Sequence, residues 1–203
     1  MRDMATTIEE IVHVPVRRIS VDEYHRMGEA GVFAPDERIE LLDGALIAMP
    51  PIGPSHAFSV LALANILMAA LEGRALVSVQ NLVVLGSASE PQPDVVLLRP
   101  PLARYGRTLP SAADALLVVE VTDTSRVVDR GPKLRAYARA GVGEVWIVDL
   151  VQNAIDVFAE PCGEDYARRT RAERGDRLAP TAFPDAAIAV SDVLPPPPAA
   201  PAR

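Results

Sequence analysis

The sequence predicts an α/β fold in which helices pack on a mixed β-sheet. Two long segments carry helix start and stop signals, several short runs are rich in Val, Leu and Ile, and the core elements follow in the order helix, three strands, helix, strand. Of the 203 residues, 49% are hydrophobic and 4% are aromatic, so aliphatic side chains must build the core. The length suits one domain, since single domains commonly reach about 200 residues.

The first predicted elements are a short helix and a hairpin. Residues 19–30 are predicted to be helical, because Ser20 and Glu23 have the spacing of a capping box. Asp43 and Gly44 then separate two apolar-rich runs. Asp-Gly in that position is a strong signal for a two-residue hairpin turn.

A long apolar helix and three strands are predicted next. Ser55 can cap a helix that runs to about residue 72. Side chains at helical spacing in this segment are Phe58, Leu61, Ala62, Asn65 and Ile66. Apolar runs then predict strands at residues 75–85, 95–98 and 115–121.

The second core helix is predicted to begin near Asp129 and to end at Gly141, with Pro132 tolerated in its first turn. Its side chains toward the core would be Leu134, Tyr137 and Ala138. Further strands are predicted at residues 144–150, 154–159, 166–170 and, as a last edge strand, 187–193.

Composition also sets the expected domain boundaries. Residues 1–17 are expected to be a flexible N-terminal segment and residues 18–194 a single domain. The segment 195–203, PPPPAAPAR, is expected to be a disordered tail, because a chain of proline and alanine cannot pack into the core.

Charge and cysteine content limit the possible functions. A net charge of −7 argues against broad binding of a polyanion, since phosphate contacts need clustered cations. One such cluster comprises Arg126, Arg130, Lys133, Arg135 and Arg139, although a solvated helix face explains it equally well. The single Cys162 permits neither an intrachain disulfide nor a Cys-based zinc site. With no leader pattern or bilayer-length apolar run, we expect a soluble, cytoplasmic protein without a membrane segment.

Three residues, Asp94, Glu120 and Lys133, are predicted to meet at one edge of the sheet. The strands at 95–98 and 115–121 have a short connection, which favours antiparallel neighbours. Asp94 precedes the first strand and Glu120 nearly ends the second, so their carboxylates can approach each other. The helix that follows should pack back across the sheet and bring Lys133, in its first turn, to the same edge.

Such a site would suit metal-dependent hydrolysis of phosphodiesters. Carboxylate oxygens hold a divalent cation and leave coordination positions open. A lysine ammonium stabilises a hydroxide nucleophile and the negative charge that develops on phosphorus. The alternative is purely structural: Glu120 pairs with Lys133 or Arg126, and Asp94 caps the turn after Pro93.

Further candidates for substrate contacts or supporting roles are His56, Gln92, Arg126 and Arg130. His56 opens a helix and can act as a proton shuttle or phosphate contact, while capping at the helix start is its commoner use. Gln92 can position the loop before Asp94. Asp129 is interpreted most simply as a helix N-cap.

The segments around these residues resemble the PD-(D/E)XK nuclease superfamily, in which Pro-Asp is followed by a strand carrying Glu-X-Lys. More closely, the chain is similar to the Uma-two family of restriction-endonuclease-like proteins from about residue 18 to residue 194. The segments that carry the resemblance are RIELLDGALIAMPP, SHAFSVLALANIL, QPDVVLL, LVVEVTDTSRVVDRGPKLRAYARAGVGEVWIVDL and FPDAAIAVSDVL.

The resemblance implies a restriction-endonuclease-like core with an added N-terminal hairpin and added C-terminal antiparallel strands. It implies Asp94 and Glu120 as ligands of Mg²⁺ or Mn²⁺, with the main-chain carbonyl of Val121 as an additional ligand. Glu40, in the hairpin segment, would be a further metal ligand or hydrogen-bond partner; from the residues alone, an edge-strand carboxylate in solvent explains it equally well.

One departure from the superfamily pattern concerns the lysine. Thr122 stands where the strand lysine is expected, and the Uma-two pattern places a lysine on the following helix, here Lys133. The predicted function is a metal-dependent endonuclease that hydrolyses phosphodiesters, with DNA favoured as substrate and a homodimer expected by analogy, since two sites cut both strands of a duplex. The alternative is a catalytically inactive nuclease-fold module that binds nucleic acid or regulates.

Overall fold

A six-stranded mixed sheet forms the centre of the computed structural model, which describes residues 16–123 and 128–197. In spatial order its strands are β3 (Leu76–Val79), β4 (Val95–Leu98), β5 (Ala115–Thr122), β6 (Glu144–Asp149), β7 (Ala154–Cys162) and β8 (Asp165–Glu173). The β5–β6 pair is parallel and the other neighbouring pairs are antiparallel. The predicted mixed α/β fold is confirmed, including the antiparallel apposition of β4 and β5.

Helices cover both faces of this sheet. The helices of the described residues are α1 (Val21–Glu29), α2 (Pro54–Leu71), α3 (Leu134–Arg139), which continues from a π-helical turn at Asp129–Lys133, and the short α4 (Val190–Val193). One apolar cluster joins α2 to the first face, and a second joins α3 to the opposite face. The helical segment before β6 provides the crossover that a parallel β5–β6 pair requires.

The face of α2 that packs on the sheet differs from the one that the helical spacing suggested. Leu63, Leu67 and Leu71 are fully buried. Phe58 and Leu61, by contrast, are 42% and 63% exposed. The core side of α2 is therefore the row that begins at Val60 and Leu63.

The N-terminal cap of α2 is also shifted from the prediction. Gly53 occupies the N-cap position and Pro54 the first helical position, so Ser55 lies inside the first turn. Proline suits that position because its missing N–H would have no partner within the helix. The helix ends at Glu72, whose φ of 47° is in the left-handed region.

The predicted hairpin and first helix are both present. Strands β1 (Ile39–Leu42) and β2 (Ala45–Ala48) pair around Asp43 and Gly44, whose φ values of 49° and 74° suit a two-residue hairpin turn. The hairpin forms its own two-stranded sheet, and a bridge between Leu41 and Glu90 ties it to the loop before β4. Helix α1 carries the predicted capping box.

Two strand predictions are wrong in extent. The strand predicted at 75–85 stops at Val79, because Gln80 adopts a φ of 51° and the chain leaves the sheet. The segment predicted as an edge strand at 187–193 contributes only a short strand, β10 (Ile188–Ala189), which pairs with β9 (Arg177–Leu178) in a separate small sheet. Helix α4 follows directly after β10.

The predicted terminal segments fall mostly outside the described residues. Outside the described residues lie residues 1–15 of the predicted flexible segment and residues 198–203 of the predicted tail. Arg126 also lies outside the described residues. The division into one domain at residues 18–194 stays a prediction.

Helix α2 is also notable for its apolar composition. Over residues 16–123 and 128–197 it is the one helix long and apolar enough to cross a bilayer, judged by length and composition alone, with 18 residues and a mean hydropathy of 1.5. Core helices can pass the same test. In this structure α2 packs on the sheet through its buried leucines.

The packing of α2 makes a direct prediction about stability. Leu63→Ala should lower the free energy of unfolding by about 2–5 kcal/mol, because it removes a fully buried side chain and leaves a cavity. Leu61→Ala, on the exposed side, should change it by about 0.5 kcal/mol or less. Urea unfolding followed by circular dichroism measures both. Equal losses in the two variants would contradict the assigned core face.

Candidate functional site

The strand register places two carboxylates across from each other. Val95 of β4 pairs with Val119 of β5, and one further step along this antiparallel register sets Asp94 opposite Glu120. Both side chains lie on the α3 face, because side chains alternate along a strand and Val96 and Val118 belong to the cluster under α3. Directly opposed residues have Cβ atoms about 5 Å apart. The predicted approach of the two carboxylates therefore follows from the sheet itself.

Lys133 reaches this pair from the π-helical turn that precedes α3. Its Nζ atom lies 3.0 Å from Oε2 of Glu40, 3.1 Å from Oε1 of Glu120 and 3.8 Å from Oδ1 of Asp129. The side chain is buried, with 3% exposed. Lys133 is the only lysine in the sequence, against 19 arginines. A compact ammonium directs its three donors tetrahedrally, whereas the donors of a guanidinium are confined to one plane.

The charges in this cluster do not balance. One ammonium faces the carboxylates of Glu40, Glu120 and Asp129, all of them buried. Burial opposes the charged form of Lys133, but the carboxylates of Glu120, Glu40 and Asp129 outweigh it and raise the pKa of the ammonium, which stays protonated. Burial raises the pKa of Glu120 well above its usual value, and Lys133 offsets this only in part. The cluster thus holds an excess of acidic groups in a place where unpaired negative charge is costly.

Tyr137 is a member of the site that sequence reasoning assigned to the core alone. Its hydroxyl donates a 2.6 Å hydrogen bond to Oε1 of Glu120, the same oxygen that contacts Lys133. Burial, followed by the charge of Glu120, raises the pKa of Tyr137 well above its usual value, so the hydroxyl keeps its proton. The sequence did contain a signal for this role of Tyr137: positions 133 and 137 are four residues apart and so share one helix face.

Tyr137 and Lys133 both contact Oε1 of Glu120, so neither of them occupies its other oxygen, Oε2. Oε2 of Glu120 and Oε1 of Glu40 accept no hydrogen bond from any residue that the structure describes. Both residues line the same cavity. These oxygens have lone pairs available to a ligand.

Asp94 is held by a different set of donors. Its Oδ2 accepts from the main-chain N–H of Val121 at 2.9 Å and lies 3.1 Å from Nε2 of His56, while Oδ1 accepts from Nε2 of Gln80 at 3.1 Å. Burial opposes ionisation of Asp94, but the His56 contact and the Val121 N–H hold its pKa below the usual value. Asp94 therefore stays an anion. Gln80 was missed from the sequence because its place depends on the early end of β3.

His56 completes one side of the site from the first turn of α2. Burial lowers the pKa of His56, but the hydrogen bond and charge of Asp94 more than offset this and raise it. The other ring nitrogen, Nδ1, is buried and has no hydrogen-bond partner among the described residues. His56 also lines the cavity.

The hairpin and the loop before β4 supply the remaining side of the site. Oε2 of Glu40 accepts from the main-chain N–H of Gln92 at 3.2 Å as well as contacting Lys133. The Gln92 side chain donates to the carbonyl of Gln80 at 2.6 Å, and its Oε1 lies 3.5 Å from Arg38. These hydrogen bonds indicate that Gln92 positions the loop before Asp94, which is one of the two roles considered for it; the other was a substrate contact.

The carbonyl of Val121 lies on the side of β5 that faces β4. In a strand, the N–H and C=O of one residue point to the same side, and the Val121 N–H donates to Asp94. The next residue, Thr122, faces the other neighbour, since its carbonyl accepts from Leu150. Across residues 16–123 and 128–197, no group of three or more His, Cys, Asp or Glu is arranged so that it could hold a metal ion.

Most of these groups border one cavity of about 250 Å³, whereas Gln80, Gln92 and Tyr137 support them from outside its lining. Its polar lining includes Glu40, His56, Asp94, Glu120, Asp129 and Lys133. The rest of the lining includes the end of β2 and the apolar loop that leads into α2. The structure therefore brings Asp94, Glu120, Lys133, Glu40, Val121 and His56 to a single recess.

One predicted contact lies elsewhere, and one interpretation is wrong. Arg130 pairs with Asp149, at 3.0 Å, and with Asp156, and so is directed to the ends of β6 and β7 and away from the recess. It binds within the fold because the buried Asp149 of β6 and the partly buried Asp156 of β7 lie on that side of the turn. The N-cap interpretation of Asp129 is wrong: Asp129 is buried inside the π-helical turn, whose N-cap position is Val128.

Comparison with known proteins is consistent with this geometry. The model of the family Uma2, described as "Putative restriction endonuclease", matches residues 21–191. The chain belongs to the Uma2 family. The resemblance to the Uma-two pattern is thus confirmed, and the match includes the hairpin, both core helices and every strand of the central sheet.

A solved structure shares the Uma2 chain's fold. It is the crystal structure of a putative nuclease belonging to DUF820 from Anabaena variabilis, with a TM-score of 0.67 and 14% sequence identity, covering 86% of this chain and 97% of that one. The type IIG restriction endonuclease BpuSI also matches, with 21% identity and a TM-score of 0.35 over 51% of this chain and 11% of its own. No curated protein matches this chain.

The burial of Lys133 predicts a large effect of its replacement on stability. Lys133→Met should lower the free energy of unfolding by about 3–5 kcal/mol at neutral pH, because it leaves Glu40 and Glu120 buried without their cation. Arg168→Met, which breaks an exposed pair with Glu160, is the matched control and should cost about 1 kcal/mol or less. Urea unfolding compares the two. A lysine variant as stable as its control would show that the cluster is not a desolvated charge network.

Proposed function

We propose that this protein is a metal-dependent endonuclease that hydrolyses phosphodiester bonds in DNA. The observation that supports it is the buried ammonium of Lys133, in contact with Glu40 and Glu120 beside the anionic Asp94, all at one cavity. Family membership supports the same reaction class. A network that only stabilised the fold would not need an excess of carboxylates around one cation.

The residues present fit a magnesium or manganese ion in their chemistry. Asp94, Oε2 of Glu120 and the carbonyl of Val121 are hard oxygen donors on one side of the cavity. Magnesium usually keeps several waters and takes one or two protein carboxylates, so a cage of three side chains is not required. The ion would also neutralise the excess negative charge of the cluster. When bound, it polarises the phosphate and activates a water for attack on phosphorus.

The protein side chains have distinct roles in this proposal. Lys133 supplies positive charge near the phosphate oxygens as the pentavalent transition state gains negative charge. Tyr137 and Lys133 fix Oε1 of Glu120, which orients its other oxygen into the cavity. His56 holds a proton at Nε2 against Asp94 and orients that carboxylate. Glu40 keeps Lys133 in place from the hairpin side.

A second candidate function is a nuclease-fold module that binds nucleic acid without cleaving it. Thr122 occupies the strand position where the superfamily pattern has its lysine, and this favours the alternative. The expected homodimer rests on the need for two sites to cut a duplex and stays a prediction. A direct test of cleavage distinguishes the nuclease from the binding module.

The test is cleavage of plasmid and single-stranded circular DNA with Mg²⁺ or Mn²⁺. The wild type should cut at least one of them, a chelator should abolish the reaction, and Asp94→Asn should lower the rate at least about 100-fold, as loss of a group that stabilises a transition state does. Asp185→Asn, at an exposed carboxylate remote from the cavity, is the matched control and should cut like the wild type.

Two results would count against the proposal. Cleavage by Asp94→Asn at the wild-type rate would move the activity to another site or to a contaminant. A wild-type protein that binds DNA but cuts none of these substrates with either metal would favour the inactive module.

A further inference from the structure

The mouth of the cavity is bordered by an apolar ledge formed by Ala48, Pro50, Pro51 and Ile52. All four residues line the cavity and are exposed, Ile52 by 43%. Ala48 ends β2, and the other three belong to the loop that leads into α2. Exposed apolar groups at a polar recess provide a surface for an apolar part of a ligand.

The acidic groups lie deep behind this ledge. Glu40 and Glu120 are 2% exposed, Lys133 3% and Asp94 6%. A phosphate can come close to them only by entering the recess together with the sugar on each side of it. Duplex DNA is stiff, with a persistence length of about 50 nm, and holds each phosphate on a rigid outer edge between its neighbours. An unpaired strand can bend sharply and insert one phosphate.

The charge around the mouth is also unsuited to a duplex. Proteins that bind duplex DNA neutralise a series of phosphates with lysine and arginine. Among the described residues that line the cavity, the cationic side chains other than His56 are Arg38 and Lys133, and Lys133 already contacts carboxylates. Asp123 adds a negative charge to the same lining. The contacts offered are thus apolar, and an unpaired base presents an apolar face that a base pair keeps stacked.

We propose that the substrate of this site is unpaired DNA, with the scissile phosphate inserted in the recess and an adjacent base packed on the ledge. This inference rests on the proposed function for the cleavage step, but its binding step is independent of it. One site suffices to cut a single strand. A homodimer is then not required for the reaction.

The first experiment compares one DNA sequence in three forms: a single strand, a blunt duplex, and a duplex with a central unpaired bubble. Initial rates with Mg²⁺ or Mn²⁺ should be at least about tenfold higher for the single strand than for the duplex, and cuts in the bubble substrate should fall in its unpaired part. In parallel, fluorescence anisotropy with the Asp94→Asn protein measures binding of the same three forms without cleavage. The single strand should bind more tightly than the duplex.

The second experiment tests the ledge. Ile52→Ser should reduce the preference for the single strand over the duplex, measured as the ratio of kcat/KM values, at least about threefold, because it removes apolar contact with the base. Val151→Ser, at a residue 61% exposed in the turn after β6, is the matched control and should keep the wild-type ratio.

The outcomes separate this inference from the proposed function. Duplex cut or bound as well as the single strand would overturn the inference and leave the nuclease in place. Absence of cleavage in every form, with tight binding of the single strand that Ile52→Ser weakens, would overturn the nuclease and support the binding inference. A ledge variant identical to Val151→Ser in both assays would overturn the role of the ledge.

Discussion

Burial of one ammonium among carboxylates from separate parts of the chain is the constraint on which the site depends. Glu40 comes from a hairpin outside the main sheet, Glu120 from a central strand, and Lys133 from the turn that begins the crossover helix. None of these charges could remain buried without the others, since an isolated buried charge is far more costly than a paired one. The cluster therefore joins the hairpin to the sheet and to α3. The same contacts that hold these parts together also gather the side chains of the candidate site.

In the proposed function, the excess of acid in the cluster would link metal binding to substrate binding. A phosphate diester carries a negative charge and would be repelled by Asp94, Glu40 and Glu120, which Lys133 alone does not neutralise. In the proposed reaction, a divalent cation held by these carboxylates would reverse the local charge and make the recess attractive to a phosphate. Electrostatics would then favour binding of the metal before the nucleic acid. The chain's net charge of −7 acts in the same direction, because it provides no general attraction for DNA.

Much of the site was predictable from the sequence because it depends on local rules. A short connection makes β4 and β5 antiparallel neighbours, and this alone brings Asp94 to Glu120. A helix that returns across a sheet must begin near the end of the preceding strand, which places Lys133. Features that depend on tertiary packing were not predictable. Helix α2 is apolar on all sides and has no charged residue, so its spacing did not reveal that Leu63 faces the core in place of Leu61. The hydrogen bond from Tyr137 to Glu120 depends on the rotation of α3 about its axis, which the sequence does not specify.

The single lysine allows a direct test of metal binding at the buried cluster. Protein made with ¹³C-labelled lysine has one lysine side chain to report, so its NMR signal comes from Lys133 without any mutation. Titration with Mg²⁺ should produce a saturable change in the chemical shift of the Lys133 Cε, because a cation placed between the carboxylates alters the charge around the ammonium. The change should be lost in Glu120→Gln, which removes one carboxylate charge from the cluster. A Lys133 signal that does not move at saturating Mg²⁺ would contradict a metal-dependent site at this cluster.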